Sequence, residues 1–236
     1  MFKLGGKSSR RGSGDDARVA TVTQLFSTYA DPDDPEFISV DDSFGQICED
    51  LGIDGGSDVK SVVLLWRLGA ARKNPDKPMT IAKETFINRM LSMNATSLAN
   101  LKSIFPSFDP GFLENDGELG KFSWNFCLIY TLDFYEFYSF TFDLNRDVPR
   151  KTLLRETVLD LLPIVIGLDR APHLQYFLDF LRASSTVKDI TLDQWKTFVK
   201  FNQQIPLDCS GYSADDGAWP ILFDEYVEWR LSSMNK

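Results

Sequence analysis

Histidine occurs once in these 236 residues, as His173, and cysteine only three times. A lone histidine between Pro172 and Leu174, at the start of an expected helix, reads as a first-turn or core residue rather than a catalyst. Cys48, Cys127 and Cys209 are odd in number and far apart, which fits neither a disulfide framework nor a zinc pattern and suits a reduced intracellular compartment. Basic residues are the minority, 25 against 34 acidic, for a net charge of −9. That balance argues against a nucleic-acid partner, which needs a basic surface for phosphates. Long uncharged apolar runs are lacking too. Phe122–Phe142 has the length of a membrane span, but Asn125, Asp133 and Glu136 lie inside it, so no membrane is expected. Met1-Phe2-Lys3-Leu4 runs into Gly and Ser and reads as no secretory leader, and Phe at position 2 rules out N-myristoylation. No nucleophile elbow, phosphate-binding glycine loop or metal-ligand spacing is found. An acidic chain leaves room for a paired-carboxylate hydrolase, yet no segment gathers two carboxylates in an apolar cleft. Cys48 has no basic partner nearby in sequence. Enzyme is the weaker class, and no metal or cofactor is expected.

What is present is apolar residues at helical spacing. With 43 % hydrophobic residues the chain can bury one large core or two small adjoining ones. Residues 1–16, rich in Gly, Ser and Arg, read as a disordered basic tail. Val22, Leu25, Phe26 and Tyr29 then make a first amphipathic face, and Val62–Leu68 a strongly apolar helix with Trp66. Leu154, Val158, Leu161, Leu162 and Val165 form another stripe, followed by Leu174, Phe177, Leu178 and Leu181. Thr191 and Gln194 have the spacing of a capping box opening a helix with Trp195, Phe198 and Val199. No run alternates as a strand does, so the expected fold is all-α. The first eleven residues carry +4 and no acid, so the remainder carries −13. An acidic body fits either a basic protein partner or plain solubility.

Two inter-helix segments look like calcium loops that have lost ligands. Asp31–Asp42 keeps acids at positions 1 and 3 and the aliphatic Ile38 at position 8, but has Pro35 at 5, Glu36 at 6 and Asp42 at 12. Asn74–Thr85 has Pro78, Ile81 and Thr85 at positions 5, 8 and 12. Paired helix–loop–helix units without metal are the expectation, against the alternative of a calcium sensor.

The most specific signal is near the C-terminus. Asp215-Asp216-Gly217-Ala218-Trp219-Pro220-Ile221-Leu222-Phe223-Asp224-Glu225-Tyr226-Val227-Glu228-Trp229 reads as an acidic turn and a helix entered through Pro220. Trp219, Leu222, Phe223 and Tyr226 should face a core, leaving Asp224, Glu225 and Glu228 to solvent. This run resembles the closing signature of the potentiating-neddylation (PONY) domain of the Defective-in-Cullin-Neddylation family. Asp109–Glu114, Asp133–Phe142, Arg170–Leu174 and Ile190–Trp195 resemble its other landmarks, in the right order. Residues 115–132 look like an insertion, or a translated non-coding stretch.

The resemblance implies an EF-hand-like lobe over 17–105 and a cullin-binding lobe over 106–233, together one domain. It also implies a non-catalytic scaffold that joins a cullin's C-terminal winged-helix domain to the neddylation-conjugating enzyme. The cullin-bound RING subunit would be close by, the scaffold a monomer, and the setting nucleus and cytoplasm. The family's cullin-binding triplet falls on Asp193, Ala218 and Asp224. A pocket for the N-acetylated N-terminus of the conjugating enzyme falls on Val40, Phe44, Leu64, Leu68, Met79 and Ile81. An EF-hand-like adaptor for another peptide is the alternative.

Overall fold

Helix-spaced apolar residues do form helices in the computed structural model, which describes residues 12–55, 59–72, 78–105, 132–147, 149–167, 171–214 and 219–234. Among these are ten α-helices and five short strands, so the chain is predominantly helical. Backbone contacts divide it into two units, Met1–Phe108 and Asp109–Lys236.

In the first unit, α1 (Gly12–Tyr29) buries Val22, Phe26 and Tyr29. It packs on α4 (Lys83–Ser92) with Phe26 edge-on to Phe86 at 5.5 Å. The helix reaches back to Gly12, so Gly12–Asp16 are helical where a disordered tail is expected from composition. Asp15 in the first turn favours that start through the helix dipole. Between these helices lie α2 (Phe44–Leu51) and α3 (Val59–Leu68), and α5 (Leu98–Ile104) follows, capped by the Ser97 hydroxyl. Gly69 ends α3 at φ +78°, and a Cβ there would lie 2.5 Å from Thr85 Cγ2. Only glycine meets both constraints.

Strands β1 (Phe37–Ser39), β2 (Ala71–Arg72) and β3 (Met79–Ala82) join in the order β1-β3-β2, all antiparallel. They were not legible as strands, being at most four residues long. Their register places Ile38 opposite Ile81, both fully buried. These are the position-8 residues of the two calcium-like segments, which therefore meet across the β1–β3 ladder. The first loop closes on itself: Asp33 N–H donates to Asp31 Oδ1 at 2.8 Å, and the Ser39 hydroxyl donates to Asp42 Oδ2 at 3.0 Å. Among the described residues no group of three His, Cys, Asp or Glu is placed to hold a metal ion.

The second unit comprises α6 (Leu132–Asn145), α7 (Arg155–Ile166), α8 (Leu174–Ala183), α9 (Leu192–Gln204) and α10 (Ile221–Met234). A two-stranded ladder pairs β4 (Leu153–Leu154) with β5 (Asp189–Ile190). Trp195 on α9 is the hub. Its ring stacks on Tyr138 of α6 at 4.6 Å, its indole N–H donates to the Tyr138 carbonyl, and the Tyr138 hydroxyl donates to the Trp195 carbonyl. On α7, Val158, Leu162, Val165 and Ile166 are buried. Leu154 is not part of that stripe: it is 38 % exposed, because strand alternation turns Leu153 inward and Leu154 outward. Among the described residues no helix is long and apolar enough to cross a membrane. The expected insertion and the landmark Asp109–Glu114 lie outside the described residues, apart from Leu132.

Candidate binding surface on the second unit

The capping box expected from Thr191 and Gln194 is formed, with Gln194 N–H donating to Thr191 Oγ1 at 3.2 Å and Thr191 N–H to Gln194 Oε1 at 2.9 Å. It fixes the start of α9 and so places Asp193, in the first turn, with its side chain exposed. A carboxylate there lies at the positive end of the helix dipole. Phe201 lies eight residues further along, about 12 Å down the helix axis at 1.5 Å per residue.

Phe201 is where α10 arrives. Its ring contacts Phe223 at 5.0 Å and Trp219 at 5.4 Å, and the Lys200 ammonium sits 5.3 Å from the Trp219 ring centre. Pro220 stands just ahead of Ile221, and its carbonyl accepts from Phe223 N–H at 2.8 Å. Leu222, Phe223 and Tyr226 are buried, as the sequence predicts, while Trp219 is half-buried. Glu225 and Glu228 are exposed. Asp224 departs from the expectation of a fully solvated side chain. It is half-buried, and Oδ1 accepts from the Tyr212 hydroxyl at 2.5 Å. Burial together with the adjacent carboxylate holds the Tyr212 phenol well above its usual range, so it stays a donor. Ile221, 73 % exposed, leads the same helix. Ala218 lies outside the described residues. Of the expected triplet, then, the structure places Asp193 and Asp224 at the N-terminal ends of two helices.

Behind this surface lies His173, fully buried. Its Nε2 is 3.0 Å from the Ile205 carbonyl, which can only accept, so Nε2 carries the proton. Nδ1, 2.8 Å from the Tyr226 hydroxyl, therefore accepts from it. The backbone N–H of His173 donates to Asn202 Oδ1, and Asn202 Nδ2 donates to the Phe198 carbonyl. Burial pushes the imidazole pKa below its ordinary value, partly offset by the carbonyls it faces. This is a buried polar strut joining α8, α9 and α10.

Of the six residues expected to line a peptide pocket, Phe44, Leu64, Leu68, Met79 and Ile81 are buried, and Val40 is half-buried. Leu64 and Leu68 share one face of α3, and Met79 and Ile81 share one face of β3. Val40 N–H donates to the Met79 carbonyl at 3.4 Å. Cys48 and Cys209 are buried thiols outside any disulfide; Cys127 lies outside the described residues. Tyr212 is a contact that sequence reasoning does not single out. It lies twelve positions before Asp224 in a loop, where no periodicity links the two.

Comparison with known proteins accords with this architecture. Residues 124–229 match a family described as "Cullin binding". The match opens at Trp124, so the second half of the segment expected to be an insertion falls within the matched span. DCN1-like protein 3 of Xenopus laevis is 30 % identical over 211 residues, covering 89 % of this chain and 62 % of that protein. Its Xenopus tropicalis counterpart is 29 % identical over 231 residues, covering 96 % and 69 %. The human DCN1-like protein 3 is 28 % identical over 222 residues, covering 94 % and 66 %. The chain thus spans about two thirds of the length of these curated relatives. Over most of its length the chain is thus similar to DCN1-like proteins, and its second unit carries the match to the Cullin binding family.

Proposed function

We propose that this protein binds the C-terminal winged-helix domain of a cullin through Asp193, Ala218 and Asp224 and promotes neddylation of that cullin without bond chemistry of its own. The observation that carries the reading is the Cullin binding match over residues 124–229, a span that contains all three positions. The negative charge of the chain supports it, since acidic groups favour a basic partner surface and speed encounter. Asp193 exposed at one helix start and Asp224 held at another supply carboxylates without the entropy cost of ordering long side chains.

The first unit is assigned the neddylation-conjugating enzyme, whose N-acetylated terminus would dock as an amphipathic segment among Val40, Phe44, Leu64, Leu68, Met79 and Ile81. Acetylation favours an apolar site because a charged amine loses its hydration on entering. The cullin-bound RING subunit completes the assembly, in cytoplasm and nucleus. Rate enhancement comes from raised effective concentration and orientation of two other proteins.

The test is calorimetric titration of the chain with a panel of purified cullin C-terminal domains. Binding to at least one, lost with Asp224→Lys, supports the reading. Binding to none removes it. A second titration compares acetylated and free N-terminal peptides of the conjugating enzyme, and equal affinities would remove the peptide pocket while leaving the cullin surface standing.

A further inference from the structure

The loop after α9 does more than connect two helices. It turns through Cys209 at φ +60° and Gly211 at φ +77°. That path delivers the Tyr212 ring against Phe201, at 5.8 Å, and Trp219, at 6.1 Å. With the ring against two aromatic neighbours, the hydroxyl reaches Asp224 Oδ1, 2.5 Å away. A hydrogen bond from a hydroxyl to a carboxylate is charge-assisted and stronger than one between neutral groups. An aspartate in the first turn of a helix otherwise samples several rotamers. This bond selects one of them. Among the described residues Asp224 Oδ2 has no hydrogen-bond partner.

We infer that Tyr212 is a positioning residue for partner recognition: it ties one oxygen of Asp224 and presents the other, pre-oriented, to a basic side chain of the bound cullin domain. The inference rests on the cullin-binding reading above and extends it to a residue outside the triplet. The gain is pre-organisation. A carboxylate already fixed loses less freedom when a lysine or arginine meets it. Tyr212 also pins the loop to α10, and a purely structural role would weaken binding whatever stood at position 224. The two roles differ in whether the effect of the hydroxyl depends on the carboxylate.

A double-mutant cycle separates them. Tyr212→Phe removes one oxygen and keeps every ring contact; Asp224→Asn keeps the shape and removes the charge. Affinities of the unaltered chain, both single variants and the double variant for a cullin C-terminal domain are read by NMR titration, which also reaches millimolar Kd. Circular dichroism melts establish that each variant is folded. Tyr212→Phe is expected to raise Kd about five- to tenfold in the native background, and by no more than about twofold beside Asp224→Asn. Equal weakening in both backgrounds, or no weakening by Tyr212→Phe alone, overturns the inference while leaving the cullin reading intact. Indifference of binding to Asp224→Asn overturns it as well. No binding by the unaltered chain instead removes the cullin reading, and this inference with it.

Discussion

Asp193 and Asp224 carry the same charge, yet their surroundings differ, and so should the consequences of reversing them. Asp193→Lys puts a cation at the positive end of α9 in an exposed position, costing about 0.3–1 kcal/mol of stability. Asp224→Lys also strands the Tyr212 hydroxyl in a half-buried site, which adds about 1–3 kcal/mol. Both should abolish measurable binding to a cullin domain, but urea melts should show Asp224→Lys as the less stable variant. Equal stabilities would mean that the Tyr212 contact carries no weight. The sequence pattern named Asp224 but placed it in solvent, because helical periodicity reports which face a residue is on and says nothing of a loop folding back over it. His173 was more legible: one histidine among apolar neighbours belongs in a core, and there it is. Burial depresses its folded pKa below the unfolded value of about 6.5. Above about pH 6.5 both states are neutral and stability is complete. As pH falls from there towards the folded value only the unfolded chain gains a proton, so stability declines. Since the sequence has one histidine, a single imidazole resonance followed by NMR checks this without assignment. A free-histidine titration near pH 6.5 in the folded protein would contradict it.

Among elements, α1, α3 and α7 to α10 were legible from apolar spacing, whereas α2, α4, α5 and the strands were not singled out. Val22, Phe26 and Tyr29, or Leu174, Phe177, Leu178 and Leu181, repeat as one buried face over two or more turns, which is enough to set a period. Phe37–Ser39 and Leu153–Leu154 are too short to show alternation, and their pairing depends on residues far away in sequence. The calcium-like loops bridge the two cases. Their aliphatic position 8 was readable, and the Ile38–Ile81 pairing is what that residue does. Start and stop chemistry can be tested directly. Thr191→Ala removes the reciprocal capping bonds of α9 and should cost about 1 kcal/mol, lowering the urea midpoint with an unchanged slope. Gly69→Ala should cost more, about 2 kcal/mol or above, because a left-handed residue and a 2.5 Å approach to Thr85 are imposed together. A midpoint within error of the native chain for either variant would show that the cap, or the glycine, is dispensable.

At the scale of the whole molecule, a scaffold and an enzyme differ in how rate depends on concentration. A scaffold acts only when one copy holds both partners. On the proposed reading, each copy added at low concentration would join a cullin to a charged conjugating enzyme, and the rate would rise. Once copies outnumber both partners, cullin and conjugating enzyme are captured on different molecules and the productive ternary complex is diluted out. A catalyst that carried the modifier itself would saturate instead, because each copy completes a reaction alone. The cysteines give a second handle. Cys48 and Cys209 are buried, and burial raises the Cys209 thiol above its ordinary pKa, so a thiolate able to accept the modifier is disfavoured there. Replacing Cys48, Cys127 or Cys209 by Ser should leave stimulation of cullin neddylation unchanged per folded molecule, with some loss of stability at the buried positions. In a reconstituted reaction with cullin and charged conjugating enzyme held fixed, titrating this chain should give a rate that peaks and then falls. Monotonic saturation well beyond the concentration of both partners would contradict the scaffold reading, as would a modifier trapped as a thioester on any of the three cysteines.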